Sequence, residues 1–396
     1  MEKLSVVTEV RELKNQIAYA KNLGFFFGAG TSCALKVPDV ATLTSEVAKR
    51  LVADPKKNFD LLQSDLTVGA SPPTIEDILN HCRRIRELTK DQRTKVYVGV
   101  TGEDAKNLDA AICRQIFDIL SEKEEKADLS VPGRLLGWLS FVTRNRPKEI
   151  FTTNYDLILE KALEANRIPY FDGFVGSYEP FFWQESISSA IGPHDLTVDW
   201  IRIWKIHGSL NWFWRLDPAS GSQRISRVGK FDKAAYSDKE IVIYPSREKY
   251  DSSRKQPFLA YFDRLHDYLQ SGELLFLIVG YSFSDQHINE VIFNGARQNK
   301  RLACVVFCFK DSEVETLAKF VSAYPNITVI GPSKAILNGS IFEWAYEKAQ
   351  LRDGETSDLY FNEKLSQVTL GDFNALVPFL LQCSGRKELG SAAHGK

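Results

Sequence analysis

One stretch, Leu23-Gly24-Phe25-Phe26-Phe27-Gly28-Ala29-Gly30-Thr31-Ser32, constrains the fold of this chain more than any other. An apolar run such as Phe25-Phe26-Phe27 suits a parallel strand covered on both faces. Gly28 and Gly30 then suit a turn that takes unusual dihedrals and lets a ligand approach the backbone. Thr31 and Ser32 are placed to cap a helix and to set hydroxyls beside free N–H groups, as helix starts do when they hold phosphate. An ordinary strand-to-helix turn has the same composition. The stretch is not a Gly-x-Gly-x-x-Gly, because Cys33 occupies the third glycine position.

A chain of 396 residues is long for one core and predicts a main domain with an insertion or a small second domain. Lys plus Arg total 50 and Asp plus Glu 51, so no overall basic footprint for direct nucleic-acid binding is present. The six cysteines include no Cys-x-x-Cys, which predicts neither a disulfide framework nor a zinc site. Cys82, Cys304 and Cys308 read as core side chains. No metal is expected, and a reducing cytoplasm is the natural compartment. The apolar runs fall far short of the ~20 residues of a spanning helix, and the N-terminus lacks the apolar core of a signal peptide.

Along the chain, Val6, Val7, Val10, Leu13, Ile17 and Ala20 recur at helical spacing and feed the first strand. Residues 42–147 read as helices inserted between the first and second strands, with His81 on a solvated flank. Residues 149–153 read as the second strand, and Asn154-Tyr155-Asp156 open a helix over 157–165. Asn154 and Asp156 suit a helix cap, a ligand contact, or both, since open α/β sheets bind ligands at such strand ends. Residues 200–207 form a strand ending at His207, before Gly208. Trp212 and Trp214 either wall a pocket or pack on helices, and residues 246–250 form a polar loop, solvated or at the pocket mouth. Further strands are predicted over 241–245, 274–279, 303–309 and 327–330. Asp285 is predicted to cap a helix over 286–298, with His287 exposed in its first turn. A Ser312/Glu315 capping box is predicted next. The strand–helix alternation gives an α/β fold: a Rossmann-like, mostly parallel sheet with a helical insertion after the first strand and no zinc ribbon. The expected division is 1–41 with 148–340 as the α/β domain, 42–147 as the helical module, and 341–396 as a helical segment and polar tail.

Four stretches in order, Gly28-Ala29-Gly30-Thr31-Ser32, Thr152-Thr153-Asn154-Tyr155-Asp156, Lys205-Ile206-His207-Gly208-Ser209 and Gly280-Tyr281-Ser282, resemble the sirtuin family over residues 20–300. The second and third look closest to the bacterial sirtuin-like branch of antiphage defence proteins. Pro38-Asp39 keeps half of a sirtuin Pro-Asp-Phe-Arg stretch. Val40 and Ala41 follow, so the arginine's role is not carried over. Two Cys-x-x-Cys pairs of the sirtuin zinc ribbon are missing.

The resemblance implies that NAD is the substrate. Gly28, Ala29, Gly30, Thr31 and Ser32 would hold the pyrophosphate, and Gly280 and Ser282 phosphate or adenosine ribose. Asp156 would hold the nicotinamide carboxamide, Asp39 would join the binding residues, and Thr153 stands where sirtuins have glutamine. The implied reaction cleaves the nicotinamide–ribose bond through an oxocarbenium-like transition state. Asn154 would orient water and ribose, and His207 would be the general base, as an ordinary histidine pKa near ~6.5 allows. The implied protein is an NAD hydrolase of antiphage defence, of the single-domain type paired with a HerA-type hexameric ATPase. An unregulated hydrolase would poison its own cell, so gating through a homo-oligomer or a partner is expected. Two other functions fit the same motifs: an NAD-dependent protein deacylase or ADP-ribosyltransferase, and a non-catalytic nucleotide-binding subunit.

Overall fold

The computed structural model describes residues 2–67, 72–142, 146–188, 199–216, 221, 223–229, 241–243 and 257–383. The loop predicted at 246–250 and the polar tail after residue 383 lie outside them.

The central sheet contains strands β1 (Lys3–Ser5), β2 (Leu23–Phe27), β3 (Glu149–Thr152), β4 (Tyr170–Phe171), β5 (Ile201–Lys205), β6 (Leu274–Val279), β7 (Leu302–Phe307), β8 (Ile327–Ile330), β9 (Lys334–Leu337) and β10 (Ser340–Ala345). Their spatial order is β1-β10-β9-β8-β7-β6-β2-β3-β5-β4. β2 pairs in parallel with β3 and β6, and the parallel ladder continues through β5 and β4 on one side and β7 and β8 on the other. Counted from β2, the chain lays down β3 and β5 in one direction, then returns to place β6, β7 and β8 in the other. This is the 3-2-1-4-5-6 order of a doubly wound sheet, whose ligand crevice lies at the carboxyl strand ends where the order reverses. β9 and β10 extend the sheet antiparallel, and β1 closes that edge in parallel on β10.

Alternation along β2 sets the layers. Phe25 and Phe27 enter one core and Phe26 the other, and all three are buried. Against Phe25 and Phe27 pack α1 (Val6–Tyr19) and the helices between β2 and β3: α2 (Ala29–Cys33), α3 (Val40–Arg50), α4 (Ala53–Leu66), α5 (Ile75–Thr89), α6 (Gly102–Glu124) and α7 (Ser130–Phe141). That core runs without a break from Val10 through Ile78, Leu108 and Leu139 to Leu376. The opposite core lies under α9 (Phe258–Leu269), α10 (Gln286–Gln298) and α11 (Asp311–Val321), while α8 (Ile158–Ala165) follows β3 on the first face. Cys82, Cys304 and Cys308 are buried free thiols in these cores.

Several local expectations change. A second, five-stranded antiparallel sheet joins residues 174–175, 181–182, 208–216, 223–227 and 241–243; only the last of these was predicted. Trp212 is buried there against Phe174, Phe258 and Tyr261, so it packs rather than walling a pocket. Residues 341–383 are helical in part, in a short 3₁₀ helix at Lys348–Gln350 and in α12 (Phe373–Gln382), with Pro378 inside it, and they also carry β10 and a hairpin over 361–368 that were not predicted. Helix α11 begins before Ser312, so the capping carboxylate is Glu313, which accepts from the amides of Phe309 and Lys310; Glu315 pairs with Lys334 instead. His81 is not solvated: its largely buried ring lies 3.4 Å from Asp65.

Candidate functional site

A cleft of about 920 Å³ opens at the carboxyl ends of β2, β3, β6 and β7, where the strand order reverses. The start of α5 and the start of α12 wall it, through Thr74 and Glu76 on one side and Asp372, Phe373 and Asn374 on the other. Asn374 donates to the Ala34 carbonyl at 2.9 Å, and Phe373 meets Phe27 edge-on, so the C-terminal helix is fixed to the first loop.

The glycines of the first loop also pack against the second loop, and Gly28 does not take the unusual dihedrals that the sequence suggested. Gly28 has an ordinary extended backbone, with φ −100° and ψ −177°. Its N–H donates to Val279 O at 3.0 Å, and that of Gly30 to Gly280 O at 2.9 Å. A Cβ on Gly28 would sit 2.4 Å from Gly280 O, and one on Gly30 2.7 Å from Gly280 Cα. Gly280 itself has φ +64°, and a Cβ there would stand 2.6 Å from Thr31 N. Backbone packs on backbone here, which only glycine permits. Thr31 and Ser32 do not cap α2, whose N-cap is Gly28. The Thr31 hydroxyl donates to Gly28 O at 2.9 Å. The second loop is also held tightly: Phe283 sits at φ +55°, its ring against Tyr281 and Phe293, and its carbonyl accepts from Asn289.

The turn after β3 is built from polar bonds. Asn154 Nδ2 donates to Thr31 Oγ1 at 3.0 Å and to Ser32 Oγ at 2.9 Å, and its own N–H donates to Thr152 Oγ1. With both amide hydrogens engaged, the carbonyl oxygen is what Asn154 can offer a ligand. Ser32 Oγ donates to Asp156 Oδ2 at 2.6 Å, and Asp156 Oδ1 accepts from Ile158 N. Beneath the turn, buried Lys205 pairs with Glu160 at 2.9 Å and donates to the carbonyls of Tyr155 and Asp156. A buried cation on strand β5 therefore anchors the turn after strand β3.

His207 follows β5 and precedes Gly208, whose φ of +95° turns the chain into the second sheet. Its Nε2 lies 3.2 Å from Asp285 Oδ2, and Asp285 Oδ1 caps α10 through the amides of His287 and Ile288. Burial pushes the Asp285 carboxyl up. The bond to His207, its charge and the two helix amides more than reverse this, leaving Asp285 below the usual carboxylate range. An ionised Asp285 selects the tautomer protonated at Nε2 and leaves the lone pair of the neutral ring on Nδ1. Glu76 accepts from the Tyr155 hydroxyl. Burial raises its pKa, the charge of His207 and the Tyr155 bond pull it partly back, and Asp77 and Asp285 add to the rise. Cys33 also lines the cleft, but burial, Asp39 and Asp156 push its thiol up to about 11, which makes it a poor nucleophile.

Of the residues singled out in the sequence, Ala29, Gly30, Ser32, Asp39, Thr153, Asn154, Asp156, His207, Gly280 and Ser282 all line this cleft. Gly28 and Thr31 stand behind it, in the loop-to-loop contact. Asp39 is exposed, and its carboxylate caps α3 through Thr42 N. Ser282 is exposed and bonds Ser284. Glu76 and the α12 residues were not anticipated. The Thr74-x-x-Asp77 capping box would have marked the helix start beside Glu76, whereas nothing local marks Phe373 or Asn374. Among the described residues no His, Cys, Asp and Glu group could hold a metal ion, and no helix is long and apolar enough to cross a membrane.

No curated protein matches the chain. Similar solved structures include a Sir2 enzyme at 12% identity, covering 76% of this chain and 85% of the other, with TM-score 0.33. A sirtuin studied for substrate affinity is 11% identical, with coverages of 75% and 86% and TM-score 0.32. A Sir2 homologue in complex with NAD is 12% identical, with coverages of 83% and 90% and TM-score 0.37. Asn154, Asp156, His207, Gly280 and Ser282 lie within residues 148–330, and that stretch matches the family model of the SIR2-like domain.

Proposed function

We propose that the cleft binds NAD+ and hydrolyses its nicotinamide–ribose bond. The observation that carries this reading is the meeting of Asn154 and His207 with both glycine loops, at the strand ends where the sheet order reverses. The C1′–N bond breaks with its electron pair going to the pyridinium nitrogen, so nicotinamide leaves neutral and needs no general acid. Water adds to C1′ and loses its proton to His207, giving ADP-ribose. The Asn154 carbonyl would accept from that water or from a ribose hydroxyl. Ala29 and Ser32 of the first loop would meet the pyrophosphate, since the N–H groups of Gly30 and Thr31 already bond Gly280 O and Gly28 O, with Gly280 and Ser282 near the adenosine side. Asp39, Glu76, Asp77, Asp156, Asp285, Glu313 and Asp372 line the cleft against one lysine, Lys310, among the described residues. An acidic wall suits a transition state that gathers positive charge on the ribose.

The same reading places the protein in the cytoplasm as a hydrolase of antiviral defence. Its activity would be restrained by homo-oligomerisation or by a partner such as a HerA-type ATPase. Incubation with NAD+, with and without an acyl-lysine peptide, tests the chemistry. Nicotinamide and free ADP-ribose in equal amounts without peptide are expected. Release that requires the peptide would assign a protein deacylase instead. Binding without any release, with the partner present, would assign a nucleotide-binding subunit.

A further inference from the structure

The long helix of the insertion, α6, ends against the turn after β3. Its last residue, Glu124, is 4% exposed, and nothing in the cleavage chemistry uses its carboxylate. Oε1 accepts from Leu157 N at 2.8 Å, and Oε2 accepts from Lys161 Nζ. Leu157 is the N-cap of α8 and brings that helix no side-chain bond of its own. A helix start leaves amides without intrahelical partners and favours negative charge. Here a different element supplies that charge. Leu157 also follows Asp156 directly. Asp156 accepts from Ile158 N through Oδ1 and from Ser32 Oγ at 2.6 Å through Oδ2, and Ser32 Oγ accepts from Asn154 Nδ2 at 2.9 Å. An unbroken run of short contacts thus leads from the insertion to the Asn154 amide in the cleft.

We propose that Glu124 is a positioning residue of this cleft: it fixes Leu157 N, and through it the Asp156–Ser32–Asn154 bonds that aim the Asn154 carbonyl at the ligand. The proposal deepens the hydrolase reading and rests on it for its kinetic consequence. Glu124 makes two contacts with different reach. The ion pair joins it to Lys161, one turn into α8 and partly exposed, so that contact holds the helix. The bond to Leu157 N holds the turn itself. Positioning therefore depends on the reach of an acceptor to Leu157 N, whereas a purely structural role depends on the charge paired with Lys161. The two can be separated by substitution, because chain length and charge vary independently at this position.

The test uses the full chain with two variants of opposite design. Glu124→Asp keeps the charge for Lys161 but draws the carboxylate back from Leu157 N by about 1.5 Å, one C–C bond. Glu124→Gln keeps the reach and an acceptor oxygen but removes the charge. Nicotinamide release gives kcat and KM, and NMR follows hydrogen exchange of the Asn154 side-chain amide, assigned with Asn154→Ala. In Glu124→Asp, kcat should fall about tenfold with KM changed less than threefold, as a displaced orienting group predicts. The Asn154 amide hydrogens should exchange about tenfold faster. In Glu124→Gln both quantities should stay within twofold of the wild type, even where the melting temperature falls. Unchanged kcat or unchanged Asn154 exchange in Glu124→Asp overturns the proposal. So does equal or greater slowing in Glu124→Gln, which would make Glu124 a structural charge. If Asn154 exchange quickens only in Glu124→Asp but the wild type releases no nicotinamide, the positioning stands and the hydrolase reading fails.

Discussion

The loop after β2 and the turn after β3 leave adjacent parallel strands side by side, and they are built from opposite materials. The first is glycine and backbone: Gly28 and Gly30 lie so close to Gly280 that no side chain fits between the loops. The second is side chain and hydrogen bond: Asn154, Ser32 and Asp156 bond one another, and Lys205 holds the turn from below. Glycines at a strand end invite a ligand-binding reading, and here packing alone already requires them. The polar turn is different, because a half-buried amide and a buried carboxylate contribute little to a core that apolar residues would not supply better. The proposed ligand site accounts for both, since each lines the cleft.

Substitutions separate the two regions. The largest stability loss is expected from Lys205→Ala, which strands Glu160 beneath the polar turn; breaking a buried pair costs about 3–5 kcal/mol, read by denaturant melts. Gly280→Val should follow at about 2–4 kcal/mol, from a left-handed backbone and a clash with the Thr31 amide. Gly30→Val meets the same backbone, so it should destabilise the loops rather than only block ligand entry. If either glycine variant melts like the wild type, the packing explanation is wrong.

Asp285→Asn should cost roughly 1 kcal/mol at neutral pH, since Asn still caps the helix but no longer faces His207 as a charge. The Asp285 carboxyl titrates below its ordinary value in the fold, so its contribution is present above about pH 4 and lost as pH falls through the folded pKa. The gap between wild type and Asp285→Asn should therefore close in acid. Glu76 has the opposite sign. Its pKa is raised, so its contribution is full below about pH 4.3 and is lost as pH rises through the folded pKa. Glu76→Gln should gain on the wild type from acid toward neutral pH. Parallel stability–pH curves for both variants would remove this distinction. Ser282→Ala, at an exposed serine bonded only to Ser284 in the described structure, should change stability by less than about 0.5 kcal/mol.

Much of this arrangement was legible in the sequence because it is local. The apolar runs at Phe25-Phe26-Phe27 and Leu274–Val279 marked central strands, and the residues following them marked the crevice. Strand ends are where period, glycine and polar residues change together, so Asn154, His207 and Gly280 could be found one at a time. Contacts between distant segments could not. That Gly28 needs no side chain because of Gly280 is a fact about two loops some 250 residues apart, with no trace near either glycine. Glu76 reaches the site because α5 packs across the ends of the strands, and its helical period reports only the buried face of that helix. The strands within residues 341–383 went unanticipated for a similar reason. These short strands are stabilised by pairing with β9, β1 and each other, and α12 tolerates Pro378 because its apolar face is buried.

The most direct test of the central claim is nicotinamide release by wild type and His207→Ala, with NAD+ binding to both measured by calorimetry. The wild type should release nicotinamide. The variant should bind NAD+ with similar affinity, because the groups proposed for the pyrophosphate are elsewhere, and its turnover should fall by ~10²–10⁴. Asn154→Ala should behave alike. Near-normal turnover in His207→Ala would make His207 a structural partner of Asp285 and contradict the assignment of this strand-end cleft as the site of cleavage.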